Sequence, residues 1–310
     1  MKSNDLISIH DLGISDVQRI LNLTELMKAN PDHYTDVLSG KTLIMIFEKP
    51  SLRTRVTFEV GMTQMGGHAI YLAPSDAQLG KRESVPDVAR NLERWADGVM
   101  ARTFSHQVIM DLAEYAGIPV INGLSDLLHP CQALADFFTI REVKGDLKGL
   151  KVVFMGDGNN VAHSLMHCAA KVGANITVAT PHGYEPKQEI VSEAIEDAKE
   201  TTAHIEVTND IKAALMNADV VYTDVWASMG QETEQALRTQ KFREYQVNSA
   251  VMKLASRDAI FMHCLPAHRG EEVTDDVADA PCSVIFQQAE NRLHVQKAIM
   301  NFLMGEESLI

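Results

Sequence analysis

Ser51-Leu52-Arg53-Thr54-Arg55 follows an apolar run, Thr42–Phe47, and a short turn, Glu48-Lys49-Pro50. A strand, a tight turn and a helix start rich in hydroxyls and guanidiniums make a trap for an oxyanion. The first N–H groups of a helix lack internal partners and sit at the positive end of its dipole. Ser51 is a favourable N-cap, and Arg53 and Arg55 carry planar forks that match phosphate oxygens. The same residues also suit a capped surface helix with two solvated arginines. The choice between the two readings rests on what else converges there.

Other groups with chemistry stand where apolar runs end. Arg102 closes Gly98–Arg102. His129-Pro130-Cys131-Gln132 follows the run 118–121 and opens a helix. It offers an imidazole and an amide to a carbonyl, or else a capped helix start with a structural histidine. Gly156-Asp157-Gly158-Asn159-Asn160-Val161 has the outline of a dinucleotide fingerprint after the strand 151–155. Val161 replaces its third glycine, however, and no acidic residue stands near Thr180-Pro181, where one is needed. A tight turn explains the glycines, and the asparagines suit a polar substrate. Asp224 ends 220–223, with Ser228, Met229 and Gly230 just beyond, the glycine as a candidate hinge. Cys264 follows 259–262, as a small core residue or as a polarizable group against an amine. Arg292 lies on the last helix.

These groups need a scaffold, and the pattern supplies one. Strands are expected at 42–47, 68–73, 98–102, 118–121, 151–155, 176–179, 220–223, 259–262 and 284–286. Helices alternate with them. One is capped by Ser15, with Val17, Ile20, Leu21, Thr24 and Met27 on one face. Others start at Ser51 and at Ser84, the latter with Val88, Leu92 and Trp95 inward. Further helices cover 107–116, ending at Gly117, then 160–172, closed by Gly173, 187–200 and about 288–304. Alternation of this kind implies α/β architecture: two doubly wound parallel-sheet domains of similar size, joined by interdomain helices. The charged, glycine-bearing stretch 141–150 reads as a linker, giving domains at 1–144 and 145–286. The C-terminal helix, 287–310, is expected to pack back on the first. Ligands in such folds lie at the carboxyl ends of strands, where these candidates fall.

Composition sets outer bounds. The 310 residues carry 28 Lys+Arg against 42 Asp+Glu, a formal charge of −14. That disfavours nucleic acid and anionic membranes as partners, so an anionic substrate needs a local cluster of arginines. Cys131, Cys168, Cys264 and Cys282 show no C-x-x-C spacing, and no metal site is expected. No run approaches membrane-spanning length and no apolar signal region opens the chain, which points to a cytoplasmic protein with reduced thiols.

Taken together, five blocks resemble the aspartate/ornithine carbamoyltransferase family: Phe47–Arg55, Gln78–Gly80, His129–Gln132, Asp224–Gly230 and His263–Gly270. The resemblance spans nearly the whole chain. Leu52 replaces a threonine common in the family, at a position that offers mainly its backbone N–H. The resemblance implies transfer of a carbamoyl group from carbamoyl phosphate to the δ-amine of ornithine, without a cofactor. It implies that Ser51, Leu52, Arg53 and Thr54 bind the phosphate. Arg102, His129, Pro130, Cys131 and Gln132 hold the carbamoyl end, joined by Arg292 and by Gln78 of a neighbouring subunit. Asn160, Asp224, Ser228 and Met229 hold ornithine. Cys264 and Leu265 meet both substrates, and Arg102, His129 and Cys264 are the catalytic candidates. It further implies a homotrimer. The group that takes the proton from the amine stays open.

Overall fold

The computed structural model describes residues 5–76, 79–80, 82–227 and 234–305. After α1 (Ile14–Ala29), the chain runs β1 (Thr42–Phe47), α2 (Leu52–Gln64), β2 (His68–Leu72), α3 (Val85–Leu92), β3 (Gly98–Arg102), α4 (His106–Tyr115) and β4 (Val120–Leu124). The long helix α5 (Pro130–Lys144) leads to β5 (Lys151–Met155), α6 (Asn160–Val172), β6 (Asn175–Ala179), α7 (Gln188–Thr201), β7 (Ile205–Thr208), α8 (Ile211–Leu215) and β8 (Val220–Thr223). Then come α9 (Gln235–Phe242), α10 (Ser249–Met252), β9 (Ile260–His263), α11 (Asp275–Ala278) and α12 (Ile285–Met304).

The strands form two wholly parallel sheets, ordered β2-β1-β3-β4 and β7-β6-β5-β8-β9. Parallel strands need crossovers, which the helices supply while covering the sheet faces. In the first sheet Ile44, Ile46, Val99, Ala101 and Val120 pack against Ala89, Ile109 and Leu112 of α3 and α4. In the second, Val153, Met155, Val221 and Phe261 pack against Ala214, Leu215 and Val277. The chain forms two compact units, one of residues 1–138 and 290–310, the other of 139–289. The boundaries fall inside α5 and α12.

Each sheet has one point where the strand order reverses. In the first it lies between β1 and β3, where Phe47 pairs with Arg102. In the second it lies between β5 and β8, where Met155 pairs with Thr223. Loops leaving adjacent strand ends diverge there and open a crevice.

Several local expectations change. Gly13, not Ser15, caps α1: its N–H donates to Asp16 Oδ2 at 3.0 Å. Ser84 caps α3 as expected, accepting from the Asp87 N–H, but Val85, Ala89 and Leu92 form the buried face. The helix stops at Leu92, so Trp95 swings out and is 71% exposed. Gly117 is not a left-handed helix stop. Ala116 is already extended, and the Gly117 N–H donates to Glu93 Oε2 at 2.7 Å. Residues 141–144 of the expected linker form the last turn of α5. No strand forms at 284–286. Phe261 donates to the Cys282 carbonyl and accepts from the Val284 N–H, a single bridge at Ser283, and α12 starts at once. β7 was not anticipated; it is an edge strand with little buried apolar surface.

Candidate functional site

In unit 1 the reversal point gathers the anion-binding candidates. Ser51 is the N-cap of α2, and its Oγ accepts from the Thr54 N–H at 3.3 Å. Thr54 turns inward and is buried, whereas Leu52 at the first helical position is 78% exposed. Arg102 ends β3 and is buried. Its carbonyl accepts from the Glu48 N–H at 2.9 Å, and Glu48 Oε2 accepts from the Phe104 N–H at 2.8 Å. The register of β3 against β4 slips between Ala101 and Arg102, a local irregularity of the kind that re-aims a side chain. Arg102 Nε has no hydrogen-bond partner among the described residues. A buried donor in that position is available to an acceptor from a ligand or an ordered water.

His129, Pro130, Cys131 and Gln132 lead into and open α5, and the side chains of His129, Cys131 and Gln132 are buried. Cys131 points its thiol at the Asn122 carbonyl, 3.5 Å away, and burial pushes the thiol up to about 12. It therefore stays protonated, which suits packing and not nucleophilic attack. Gln132 Nε2 donates to Asp136 Oδ1 at 2.7 Å, while its Oε1 accepts from Arg292 Nη1. Arg292, from α12, also places Nη2 3.4 Å from Thr54 Oγ1. Thr54, Gln132 and Arg292 thus converge from three helices.

The electrostatics follow from crowding. Burial first, then the charges of Arg292 and Arg53, lower Arg102 to about 10. Burial first, then Arg292, Arg102 and Arg53, holds His129 well below its ordinary 6.5. His129 is therefore a neutral imidazole at pH 7, able to donate an N–H without adding charge. The buried guanidiniums of Arg102 and Arg292, with the half-buried Arg53 and the hydroxyls of Ser51 and Thr54, suit a compact multiply charged anion.

In unit 2 the reversal point gathers a different set. Asn159 caps α6: its Oδ1 accepts from the Val161 and Ala162 N–H groups at 2.9 and 3.1 Å. Its Nδ2 donates to Asp224 Oδ2 at 2.8 Å. Asn160 is the first residue of that helix. Asp224 Oδ1 accepts from the Val225 N–H at 2.8 Å and from the Cys264 thiol at 3.0 Å. The buried His263 sits beside them. Its Nε2 lies 3.1 Å from Glu272 Oε1, and its Nδ1 accepts from the Leu265 N–H at 2.8 Å. Leu265 is held at φ +58°, a region costly for a branched side chain and found where a site imposes it. Asp224, His263 and Cys264 bring three potential metal-ligand atoms within 4.8 Å. Both His263 nitrogens are already engaged, so the trio is committed to hydrogen bonds. Ser228, Met229 and Gly230, and Gln78 of unit 1, lie outside the described residues.

The glycine turn packs against its own chain. A Cβ on Gly158 would stand 2.2 Å from the Pro186 backbone N, and the Gly158 N–H donates to the Tyr184 carbonyl at 2.8 Å. Backbone of Glu185 and Pro186 thus fills the space beside Gly158, and Asn159 already satisfies donors of the α6 first turn.

Two family profiles divide the chain in the same sense as these two constellations. Residues 4–142 match the carbamoyl-P binding domain of aspartate/ornithine carbamoyltransferase, and residues 148–303 match its Asp/Orn binding domain. The chain belongs to the aspartate/ornithine carbamoyltransferase family. Among members, the ornithine carbamoyltransferase of Thermococcus kodakarensis is 54% identical over 310 residues, covering 98% of either chain. The anabolic ornithine carbamoyltransferase of Pyrococcus furiosus is 52% identical, with the same coverage. A solved structure of the Pyrococcus furiosus enzyme superposes with a TM-score of 0.94 at 53% identity over 97% of each chain. One divergence in extent stands out within this family frame. The second profile runs to 303, but Glu290 onward groups with unit 1, which is how Arg292 reaches Thr54 and Gln132.

Sequence reasoning did not single out Asp136, Glu48, Asp157 or Arg238. Glu48 lay inside the first block as a turn residue. Asp136 stands four positions from Gln132 on the same helix, a spacing that could have pointed to it, whereas Asp157 and Arg238 are defined by partners from other elements.

Proposed function

We propose that the chain transfers the carbamoyl group of carbamoyl phosphate to the δ-amine of L-ornithine, giving L-citrulline and phosphate in arginine metabolism. The observation that carries this reading is the convergence of the buried Arg102 and Arg292 and the half-buried Arg53 around Thr54, His129 and Gln132, in the unit matched by the carbamoyl-P profile.

The leaving phosphate lies at the start of α2, against Ser51, Leu52, Arg53 and Thr54, with Arg102 and Arg292 across from it. Attack of a neutral amine on the carbonyl places negative charge on its oxygen. Arg102, His129 and Thr54 are the donors for that oxygen, and such donors act mainly on the transition state. A neutral His129 suits this role, because it needs no deprotonation at working pH. No covalent intermediate with the chain is required, in keeping with the protonated Cys131. In unit 2, Asn160, Asp224, Ser228 and Met229 hold ornithine. Asp224 is preset for that by Asn159, Val225 and Cys264. The amine has a lysine-like pKa of about 10, and a carboxylate beside it favours its ammonium form. Asp224 is therefore assigned to binding. The active assembly is a cytoplasmic homotrimer to which Gln78 contributes from a neighbouring subunit.

The test is citrulline formation by the purified chain, with aspartate, putrescine and an acylated ornithine run in parallel. Citrulline with ornithine, well above the other acceptors, is the expected result. No product above background with both substrates present overturns the proposal. Sedimentation velocity checks the trimer.

A further inference from the structure

Gly61 stands inside α2, where glycine weakens a helix, and it is buried. A Cβ there would lie 2.8 Å from Met300 Cε, 3.2 Å from Lys297 Cγ and 3.8 Å from Leu293 Cδ1. Those three side chains stand at i, i+4 and i+7 of α12 and so form one ridge along it. The ridge lies in a notch that only a missing side chain provides. Thr54 and Phe58 share the buried face of α2 with Gly61, which puts the notch two turns along from the Thr54 hydroxyl. On the facing helix, Arg292 directly precedes Leu293 and places Nη2 3.4 Å from Thr54 Oγ1. One end of the seam between α2 and α12 therefore carries the anion-binding groups, and the other carries the notch.

The seam is latched at the notch. Lys297 is 2% exposed, and its Nζ donates to Gln64 Oε1, at the end of α2, across 3.1 Å. Burial lowers the pKa of this lysine. A buried ammonium held by a neutral amide is a poor source of stability. What it supplies is a fixed length, a four-carbon stem pinned between two helices. The distances leave little play. Carbon atoms in ordinary contact stand about 3.5–4.0 Å apart, so a methyl on Gly61 pushes α12 away by several tenths of an ångström unless Met300 swings aside. The 3.4 Å contact of Arg292 with Thr54 is already at the long end for a hydrogen bond, and it does not survive such a shift.

We propose that Gly61 and Lys297 are positioning residues for the carbamoyl phosphate site: the notch at Gly61 and the latch from Lys297 to Gln64 seat α12 against α2 so that Arg292 meets Thr54. This rests on the assignment of Arg292 and Thr54 to carbamoyl phosphate made above. Neither positioning residue touches substrate, and both act through the spacing of the two helices.

The test uses the full chain with Gly61→Val, Gly61→Ala, Gly61→Ala combined with Met300→Ala, and Lys297→Met. Citrulline formation is measured with each substrate varied in turn, and urea unfolding reports the fold. Gly61→Val is expected to raise the carbamoyl phosphate KM roughly tenfold or more, while the ornithine KM holds within about twofold. Gly61→Ala shows a smaller rise, and Met300→Ala reverses much of it by clearing the atom that the new methyl meets first. Lys297→Met keeps the stem and loses the ammonium, so it raises the carbamoyl phosphate KM without lowering the urea midpoint. A wild-type carbamoyl phosphate KM in either Gly61→Val or Lys297→Met overturns the proposal. So does an equal rise in both KM values, or a fall in kcat with both KM values unchanged, the pattern of a reduced folded fraction. Should Gly61→Val not fold, Gly61→Ala takes its place in these criteria. If the wild type makes no citrulline, the functional reading falls, and inorganic phosphate titrated by calorimetry into the wild type and Lys297→Met decides the inference. Weaker binding by the variant supports it, and equal binding or none overturns it.

Discussion

Arg292 Nη1 donates to Gln132 Oε1 across 160 positions of the sequence. The amide that receives it is held from its other end by Asp136, 2.7 Å from Gln132 Nε2. A carboxylate thus orients an amide, and the amide orients a guanidinium, before any substrate arrives. The order of the chain matters here: α12 must return to unit 1 for the relay to exist.

Removing Arg292 should therefore act on one substrate. A charged hydrogen bond contributes about 1.5–3 kcal/mol, so Arg292→Leu should raise the carbamoyl phosphate KM roughly 10- to 150-fold. The ornithine KM should hold within about twofold. Gln132→Leu strands both Arg292 and Asp136, and should also lower unfolding free energy by about 1–3 kcal/mol in urea.

Arg102 carries the opposite balance of stability and activity. It is crowded by Arg292 and Arg53, which helps lower it to about 10. Arg102→Leu removes a donor to the developing oxyanion and should cut kcat roughly 10²- to 10³-fold. It also relieves repulsion, so its melting temperature should not fall. A parallel drop in melting temperature and kcat would contradict the assignment.

His129 makes a pH prediction. Its folded-state pKa is held well below the ordinary 6.5 by burial and three guanidiniums. Below the unfolded pKa of about 6.5 the unfolded chain binds a proton that the folded chain refuses. Stability from this residue is thus complete above that value and declines as pH falls toward the folded pKa. Urea unfolding at about pH 7.5 and about pH 5.5 should show a smaller loss for His129→Gln than for the wild type.

Leu52 should be replaceable. It stands on the outer side of the first turn of α2, 78% exposed. Leu52→Thr should change stability by less than about 0.5 kcal/mol and leave the carbamoyl phosphate KM within about twofold.

Gly158 should not be replaceable. A Cβ there would collide with the Pro186 backbone, and overpacking of this kind costs about 1–3 kcal/mol. Gly158→Ala should lower the urea midpoint accordingly. Calorimetric titration of NADH into the wild-type chain should give no heat of binding.

What could be read from the sequence was what neighbours in sequence decide. The run Thr42–Phe47, the Ser51 cap and the Gly173 stop are local, and all three form as expected. The strand ends that carry Arg102, His129 and Asp224 could be found for the same reason. Val284-Ile285-Phe286 shows the opposite case. An apolar run rich in branched residues reads as a strand, yet its backbone groups are taken by Phe261 and by the start of α12, leaving Phe286 69% exposed. Arg238, on α9, was beyond reach because two of its acceptors, Asp157 Oδ2 and the Trp226 carbonyl, lie 81 and 12 positions away. No periodicity encodes a contact of that kind.

Glu48 brackets Arg102, holding the carbonyl of that residue with its own N–H and the Phe104 N–H with its carboxylate. The turn Glu48-Lys49-Pro50 thereby acts as a ruler. It sets the distance from the end of one strand to the cap of α2 and, through the same residue, the height at which a guanidinium emerges from the adjacent strand. A single inserted or deleted residue would move both at once. Loop grafting and random indel libraries should find this three-residue turn among the least permissive stretches of the chain.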